Sequence, residues 1–570
     1  LKSFELKTLP SFGQRGTARA STLPAEGSTA MTKAEKIVAA GRHRGSARPQ
    51  LRLLALNFLA HWASGATLRP GRRSLAFALA FLAAAAAAAV ARAKRSLRGP
   101  KMEWLIKRLA GSIICRLLPI PEPRVVTGAG TVGRIGDILR EQRCCKPLIV
   151  TDEALVRQGL ARRCSEALAA SGMASEVYSA VVPNPPAEVV EAGHALYESA
   201  GCDAIIALGG GSPMDTAKVI GAKVANPRHC VSAYEGFLNV TWLGLRPLPP
   251  LIAVPTTAGT GSEATICAVI TKGDKKVIIC DEGLVPRVAI LDPEILVKLP
   301  RALTAATGID ALTHAIEAFL AGWASDYVKE RSERAVQRIF RSILTTYHDG
   351  TNLLAREDML VASLEAGLAF TRASIGYVHA IAHQLGGIFH TPHGDANAML
   401  LPHILSFYLA AEERDSIPGR PCAEKLCLLA ISAGCACAPL PEDGAGRLAV
   451  AWNFVDRVAA MCLEMGLPTD VPKMKAADVP TVARRALGEA HGEQHPLAKV
   501  KARVLDLGYP VPVYMTLAEC QEIVAKVLPP SERDIWQGVR RIPSTPSLSC
   551  VRGARRVHQR RPAHSSATRV

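Results

Sequence analysis

Hydrophobic residues change their spacing from about Arg124 onward, where short apolar runs begin to alternate with stretches of helical period. Apolar positions recur with helical spacing in Ala154–Ala170 and in Ala187–Ala200. Strands that alternate with helices predict a parallel sheet covered by helices. The apolar runs that predict strands are Val125–Val126, Leu148–Thr151, Ala204–Leu208, Leu251–Val254 and Val277–Ile279.

The strand signals largely stop after Pro300, and successive helical patterns follow. The sequence therefore predicts an α/β domain over residues 120–299 and an all-helical domain over residues 300–530. Residues 1–119 form a basic N-terminal extension, and residues 531–570 form a basic tail rich in Ser, Pro and Arg. The composition of this tail predicts disorder.

The positive charge of the chain is concentrated at its two ends. The 570 residues carry a formal net charge of +18, and residues 1–100 contain 17 Lys and Arg against 3 Asp and Glu. The central part is close to neutral and shows no recognisable nucleic-acid-binding module. We therefore expect no nucleic-acid partner.

The N-terminal extension is rich in Arg, Ala and Ser and poor in acidic residues, which is typical of an organellar transit peptide. We expect import into a mitochondrion or plastid, with a cytoplasmic location as the alternative. Leu75–Ala91 is an apolar run at the lower length limit for a membrane-spanning helix. It is either a membrane anchor or, as we prefer, an Ala-rich stretch that is removed with the leader.

The 15 cysteines of the chain include no C-x-x-C motif. A structural zinc site needs paired thiolates at short spacing, so we do not expect a site of this class. Reduced and mostly buried thiols are expected instead, which indicates a reducing compartment. No pair of cysteines indicates a redox function.

A triple-glycine loop, Gly209–Lys218, directly follows the predicted strand Ala204–Leu208. Its glycines allow the backbone to approach a ligand closely, and the helix that follows offers an N-terminus suited to an anion. Ser212 suits the N-cap, Pro213 the first helical position and Asp215 the third. We predict that this loop, including Asp215, binds the diphosphate of a dinucleotide.

Two further loops contribute to a predicted cofactor site. Pro255–Glu263 follows another strand and offers small and hydroxylated residues. Gly128–Gly133 matches G-x-G-x-x-G, and Asp152 lies 19 residues beyond it at a strand end, as in a dinucleotide fingerprint. The strand before Gly128 is short, so the triple-glycine loop is the stronger candidate for the diphosphate. Asp152 is the candidate ribose-binding acid under either assignment.

A group of histidines and one aspartate predicts a metal site in the helical half. Asp310 and His314 are four residues apart, as are His379 and His383, so each pair shares a helix face. Such residues suit Fe²⁺, Zn²⁺ or another divalent transition metal. Spacing alone leaves the choice of ligands open among five histidines, which are His379, His383, His390, His393 and His403.

The motifs together resemble the iron-containing (group III) alcohol dehydrogenases over roughly Arg124–Leu528. The resemblance implies an α/β N-terminal dinucleotide-binding domain with a parallel sheet, followed by an all-α C-terminal metal-binding domain. The segments that carry it are the triple-glycine loop, Pro255–Glu263, Thr307–Glu317, His379–Gly387 and Pro392–Gly394.

The resemblance also assigns the site residues. It implies that the metal ligands are Asp310, His314, His379 and His393. His383 would then lie beside the nicotinamide and the substrate as a catalytic residue. Glu317 either orients a ligand histidine or forms a surface salt bridge. The cofactor-binding residues implied, in addition to Asp215 from the loop pattern, are Asp152, Asn184, Gly210, Gly211, Ser212, Thr256, Thr257, Thr260 and Lys276.

The expected activity is that of a metal-dependent, NAD-linked alcohol dehydrogenase, in which Fe²⁺ polarises the oxygen of an alcohol, aldehyde or ketone. A hydroxyacid–oxoacid transhydrogenase of the same family is an alternative. A polyol dehydrogenase of the glycerol type is disfavoured by His379 and by the Pro-His-Gly motif. A catalytically dead, membrane-tethered scaffold is disfavoured because all four predicted ligands are present. A homodimer is expected.

Overall fold

The computed structural model describes residues 120–243, 246–273, 275–415, 422–492 and 508–541. The predictions for the N-terminal extension, including the run Leu75–Ala91, lie outside the described residues. Within the described part, no helix is both long and apolar enough to cross a membrane.

Six parallel strands form the main sheet, in the order β1-β9-β6-β4-β2-β3. The four inner strands consist of buried residues, as expected for a parallel sheet that is covered on both faces. The α/β prediction is therefore confirmed for this half. In chain order the strands are β1 Arg124–Thr127, β2 Pro147–Val150, β3 Glu176–Tyr178, β4 Ala204–Gly209, β5 Gly236–Phe237, β6 Leu251–Pro255, β7 Cys267–Lys272, β8 Lys275–Cys280 and β9 Val288–Leu291.

The predicted strand Val277–Ile279 belongs to a separate sheet. It lies in β8, which pairs antiparallel with β7 and parallel with β5. Cys267 and Cys280 face each other across β7 and β8 with their Cα atoms 4.2 Å apart, and they are paired as a disulfide. The expectation of reduced thiols was wrong for this pair, because strand register brings together residues whose sequence spacing gives no signal.

The helices of this half cover both faces of the main sheet. Leu148 and Val150 pack into one apolar cluster, and Ile149 between them packs into the other. The predicted helix Ala154–Ala170 is two helices, because Gly159 between them adopts φ 84°. The helices are α1 Ile135–Glu141, α2 Glu153–Arg157, α3 Leu160–Ala170, α4 Ala187–Ser199, α5 Gly211–Ala225 and α6 Asn239–Leu243.

The second half contains helices and no strand among its described residues, as predicted. Its central helix, α7, is almost entirely buried because it packs against α8, α9 and α11. The helices are α7 Arg301–Leu320, α8 Asp326–His348, α9 Leu353–Ala373, α10 Tyr377–Phe389, α11 His393–Asp415, α12 Cys422–Ser432, α13 Gly444–Glu464, α14 Val479–Ala490, α15 Leu517–Lys526 and α16 Pro530–Arg541.

The predicted disorder of the tail from residue 531 was wrong for its first part, which is helix α16. Pro530 begins the helix, a position where the missing N–H costs no hydrogen bond. Glu532 accepts a hydrogen bond from the backbone of Ala476 at 2.9 Å, and Trp536 packs against the main apolar cluster. These contacts order a segment whose composition alone predicts disorder. The tail beyond residue 541 lies outside the described residues.

Candidate metal and cofactor site

Three helices bring the four predicted metal ligands together. Helix α7 carries Asp310 and His314 one turn apart, α10 carries His379, and α11 begins at His393. Asp310 Oδ1 lies 3.5 Å from His393 Nε2, 3.6 Å from His379 Nε2 and 3.9 Å from His314 Nδ1. The carboxylate of Asp310 is thus the common neighbour of all three imidazoles.

The donor atoms of this cluster fit a divalent transition metal. One ligand atom from each of Asp310, His314 and His379 lies within 4.8 Å of the others, and all three residues are buried. His314 Nδ1 is buried without a hydrogen-bond partner, as expected of a nitrogen that ligates a metal. His393 is the open member, since its side chain is 39% exposed. One carboxylate with imidazoles suits Fe²⁺ and Zn²⁺ alike.

The charges of the cluster are strongly coupled. Burial lowers the pKa of the His314 imidazole to about 4, which keeps this ring neutral. Burial alone would raise the pKa of Asp310, but the surrounding imidazoles hold it well below its usual range. Burial opposes the charge of His379 too, yet Asp310 and Glu317 raise its pKa to about 9. A metal at this site would therefore compete with a proton on His379.

Glu317 orients His379 from inside the protein. Its carboxylate accepts a hydrogen bond from His379 Nδ1 at 2.6 Å and from the backbone amides of Gly376 and Val378 at 2.8 Å each. These bonds turn His379 Nε2 towards Asp310. The alternative of a surface salt bridge is wrong because Glu317 is buried. Partners of this kind fix the orientation of metal-binding histidines.

The sequence analysis missed Asn397, which lies at the centre of the cluster. Its Nδ2 donates to Asp310 Oδ1 at 2.7 Å and lies 3.3 Å from His379 Nε2 and 3.4 Å from His393 Nε2. Asn397 stands one helical turn after His393 on α11, so the i, i+4 spacing was the available signal. The side-chain amide of Asn397 thus holds the Asp310 carboxylate and the imidazoles of His379 and His393 close together.

The remaining candidate histidines lie outside this group. His383 hydrogen bonds through Nδ1 to Glu489 at 2.6 Å, and its ring stacks on His393 with the centroids 5.5 Å apart. His390 is exposed at the C-terminal end of α10 with φ 59°. His403 is half-buried, and burial lowers its pKa to about 4. The geometry thus groups only His314, His379 and His393 around Asp310, while their roles as ligands remain predictions.

Two loops meet at the carboxyl ends of β4 and β6, which are neighbouring strands. A Cβ on Gly210 would lie 3.2 Å from Thr257 Oγ1, and one on Gly211 would lie 3.2 Å from Thr260 Cγ2. A side chain at either glycine would therefore press on a threonine of the second loop. Thr257 Oγ1 is buried without a partner, and such a hydroxyl fits the polar edge of a cofactor.

The triple-glycine loop differs from its prediction in detail. Helix α5 begins at Gly211 with Gly210 as the N-cap, so Ser212 lies in the first turn and does not cap the helix. Gly210 has the extended backbone conformation of an N-cap residue, and no side chain caps the helix. Asp215 accepts hydrogen bonds from Ser262 Oγ and from the backbone of Val269, each at 2.9 Å. It therefore ties α5 to the second loop and to β7.

The other predicted cofactor residues lie on several elements. Asp152 stands at the carboxyl end of β2 and caps α2 by accepting from the Leu155 amide at 2.9 Å. Asn184 is exposed after β3, with φ 53°. Thr256 follows β6 and donates its amide to the carbonyl of Gly209 at 3.1 Å. All of these lie beyond the carboxyl ends of parallel strands, the edge where ligands bind in such sheets.

The G-x-G-x-x-G loop after β1 uses its amides within the protein. The backbone N–H groups of Gly130 and Val132 each donate to the Asp292 carboxylate at 3.1 Å. Strand β1 also lies at the outer edge of the sheet. These bonds agree with the prediction that the diphosphate belongs to the triple-glycine loop.

Comparisons with known proteins identify the family. Residues 121–293 match the family described as iron-containing alcohol dehydrogenase, and residues 304–508 match its C-terminal part. The 1,3-propanediol dehydrogenase of Klebsiella pneumoniae is 37% identical over 359 residues, which are 62% of this chain and 87% of that protein. The chain belongs to the iron-containing alcohol dehydrogenase family.

Other members of the family agree in sequence and in fold. The NAD-dependent methanol dehydrogenase of Bacillus methanolicus is 38% identical over 292 residues, which are 51% of this chain and 75% of that protein. The solved alcohol dehydrogenase from Oenococcus oeni is 30% identical and superposes with a TM-score of 0.62, covering 72% of this chain and 99% of that one. The predicted family, fold class and oxidoreductase class are confirmed.

In this iron-containing alcohol dehydrogenase the Pro255–Glu263 loop, predicted to bind the cofactor, packs directly on α7 and α9. A Cβ on Gly259 would lie 2.7 Å from the Thr307 carbonyl on α7. A Cβ on Gly261 would lie 2.7 Å from the Cα of Gly367 on α9, and the Gly261 amide donates to Ser363 Oγ at 3.2 Å. The second cofactor loop therefore reaches the helix that carries Asp310 and His314.

Proposed function

We propose that the chain transfers a hydride between a small alcohol and NAD, producing an aldehyde or ketone, and catalyses the reverse reaction. One observation carries the proposal: Asp310 and His314, which belong to the cluster of one carboxylate and three imidazoles, lie on the helix α7 that directly contacts the Gly259–Gly261 loop. A metal and a dinucleotide bound at these two places would meet at one cleft. The names of the relatives, a propanediol and a methanol dehydrogenase, support the substrate class.

Fe²⁺ is the metal we propose, held by Asp310, His314, His379 and His393. At this position a divalent metal supplies a Lewis acid that polarises the substrate oxygen. Glu317 keeps His379 oriented, and Asn397 keeps Asp310 aligned with the imidazoles. The family description favours iron, whereas the donor set also suits Zn²⁺.

The nicotinamide cofactor that we propose is NAD. The backbone at Gly210 and Gly211, together with the N-terminus of α5, would bind its diphosphate. Asp152 would accept hydrogen bonds from the adenosine ribose and would repel the 2′-phosphate of NADP. Thr257 supplies a hydroxyl without a protein partner at the same cleft.

The alcohol must lose a proton from its oxygen as the hydride leaves its carbon. We assign the proton to His383, whose Nδ1 already bonds to Glu489, so that Nε2 is the nitrogen left to accept it. The ring is only partly buried beside the open ligand His393, so the proton can pass to water. The hydride from the carbon would go to a bound nicotinamide, so that both the proton and the hydride of the alcohol have an acceptor.

The test is turnover after metal loading. The protein is stripped with a chelator, reloaded with Fe²⁺ or Zn²⁺, and assayed with alcohols, aldehydes and hydroxyacids in the presence of NAD or NADP. We expect metal-dependent NADH formation from a small alcohol and NADH oxidation with its aldehyde. Oxidation of a hydroxyacid that requires an oxoacid and releases no NADH would support the transhydrogenase instead. Absence of turnover with every pair would refute the proposal.

We also propose that residues 1–119 direct the protein to a mitochondrion or plastid. The Arg-rich, acid-poor composition supports this location. A fluorescent protein fused after residue 120 should label the organelle. Diffuse cytosolic signal would refute it, and membrane signal that resists carbonate extraction would favour an anchor at Leu75–Ala91.

We further propose a homodimer, which sedimentation equilibrium of the purified chain would test.

A further inference from the structure

A buried carboxylate on α14 stands behind His383. Glu489 Oε1 lies 2.6 Å from His383 Nδ1 and accepts a hydrogen bond from the Tyr509 hydroxyl at 2.5 Å. Its Oε2 accepts from Gln384 Nε2 at 2.8 Å. Three donors from two parts of the chain thus converge on one carboxylate.

The three donors fix this carboxylate in place. Gln384 follows His383 on α10, so a single helix offers two donors to Glu489. Tyr509 comes from the segment after α14, and its amide donates to the Ala490 carbonyl at 2.7 Å. Burial would raise the pKa of Glu489, but His383, Tyr509 and Lys276 keep it below its usual range. The group is therefore an anion with both oxygens held.

An ionised carboxylate can only accept hydrogen bonds. A neutral His383 must therefore carry its proton on Nδ1, which leaves a lone pair on Nε2. Within the described residues, Nε2 has no protein partner at hydrogen-bonding distance, and the ring stacks on the open ligand His393. The nitrogen with the lone pair is thus left available beside the metal cluster.

We propose that Glu489 is a positioning residue that holds His383 in the Nδ1–H tautomer, so that Nε2 accepts the proton of the substrate hydroxyl. This inference rests on the proposed alcohol dehydrogenase function. The substrate O–H bond breaks, a new N–H bond forms at Nε2, and the hydride goes to the nicotinamide. Glu489 keeps its charge throughout and stabilises the imidazolium that results.

The kinetic test compares Glu489→Gln, Glu489→Asp and a matched control in the full-length, metal-loaded enzyme. Partners of this kind are typically worth about 10- to 100-fold, so we expect kcat of Glu489→Gln to fall by about that factor. Metal content and the Kd for NADH should stay unchanged, and Glu489→Asp should recover part of the loss. The control is Glu365→Gln, which removes the charge of another buried carboxylate, one that lies on α9 and is held by Arg331 of α8.

Two kinetic outcomes would overturn the proposal. One is a kcat within twofold of the native value in Glu489→Gln. The other is an equal loss in Glu489→Gln and Glu365→Gln, since only general damage to the helical half would explain it. Loss of metal together with kcat in both Glu489→Gln and Glu489→Asp would also count against it, because the carboxylate would then act on the metal cluster.

A spectroscopic test is independent of turnover. The full-length chain, labelled with ¹⁵N-histidine and loaded with diamagnetic Zn²⁺, should give the two-bond pattern of an Nδ1–H tautomer at His383. The signal is assigned by its loss in His383→Gln, and it should change in Glu489→Gln. An Nε2–H pattern in the native protein, or an unchanged pattern in the variant, would overturn the inference. Absent turnover together with the expected pattern would instead count against the proposed function.

Discussion

The cofactor edge of the sheet and the metal cluster are built from different parts of the chain. At the cofactor edge, backbone atoms and missing side chains make the site, since Gly210 and Gly211 pack directly on Thr257 and Thr260. In the metal cluster, side chains make it, and buried partners such as Glu317 hold them in place. The first site therefore depends on the close approach of the backbone of one loop to another loop, and the second on side chains that buried hydrogen bonds hold in place.

Because the two sites are built differently, substitutions in them should impair different properties of the protein. A substitution at the cofactor edge should weaken ligand binding through steric contact and leave the metal in place. A substitution in the cluster should leave the cofactor edge intact and lose the metal. Metal content and NADH binding, measured in the same variant, distinguish the two cases.

The largest effect is expected for His393→Ala. It removes an imidazole nitrogen 3.5 Å from Asp310 Oδ1, and an incomplete set of ligands binds metal poorly. We expect loss of bound metal and a fall in kcat of at least about a thousandfold, or ~4 kcal/mol. Metal analysis and kcat measure the two losses, and circular dichroism checks that the fold persists. The matched control is His390→Ala, an exposed histidine three residues earlier, which should keep both metal and activity.

Full metal content and activity in His393→Ala would remove this residue from the predicted ligand set. Loss of NADH binding in the same variant would break the comparison itself, because the cofactor edge would then depend on the cluster.

Asp152→Gly should change the choice of cofactor. The carboxylate at the end of β2 would no longer repel a 2′-phosphate, so the ratio of kcat/KM for NAD over NADP should fall by about a hundredfold, or ~3 kcal/mol. Loss of the cap on α2 should cost only a few tenths of a kcal/mol, since glycine replaces it well. The control is Glu153→Gln. The neighbouring Glu153 is exposed, so this substitution should leave the ratio of kcat/KM for NAD over NADP unchanged. A native preference for NADP would contradict the assignment of Asp152.

Glu263 is a buried charge at the cofactor edge, and it should make stability depend on pH. Burial raises the pKa of its carboxyl to about 7, and its Oε1 has no hydrogen-bond partner. Between the ordinary pKa of 4.5 and about 7, the unfolded chain loses this proton while the folded protein keeps it, so stability falls as pH rises. The full cost above pH 7 is at most about 3 kcal/mol.

Glu263→Gln should therefore be more stable than the native protein at pH 8 and nearly equal to it at pH 4.5. Urea unfolding at the two pH values, with the same metal present, measures the difference. Glu166→Gln on the exposed side of α3 should show no such dependence. A stability gain that is equal at both pH values would contradict the raised pKa.

The smallest effect compares two glycine loops. Gly211→Ala places a Cβ 3.2 Å from Thr260, so we expect the Kd for NADH to rise about tenfold, or ~1.4 kcal/mol. Gly133→Ala, in the G-x-G-x-x-G loop, meets nothing within 4 Å and should bind NADH normally. Fluorescence titration with NADH distinguishes them. If Gly133→Ala weakened binding and Gly211→Ala did not, the two loops would have been assigned the wrong way round.

The fold was predictable to the extent that it depends on local pattern. The buried runs that became β2, β4 and β6 were evident, because strands covered on both faces are continuously apolar. Strands β3, β5, β7 and β9 were missed, and β8 was assigned to the wrong sheet. Pairing of β7 with β8 depends on register between distant segments, which no local pattern encodes.

The site divides in the same way. The triple-glycine loop and the i, i+4 pair of Asp310 and His314 could be found because each lies within a few residues of chain. Asn397 offered only its i, i+4 spacing from His393 and was overlooked. Glu489 could not be found, since its importance comes from its contact with His383, which lies 106 residues away. The choice among the histidines also needed a family resemblance, because spacing alone does not reveal which rings share a neighbour.

The contact between the second cofactor loop and the helices has a consequence for protein engineering. Gly259 and Gly261 touch the backbone of α7 and α9 so closely that no side chain fits between them. The two halves of this enzyme are therefore not interchangeable parts. A chimera that joins the sheet of one relative to the helices of another should fold only if both parents keep glycine at 259, 261 and 367, where the chains meet without space for one methyl group.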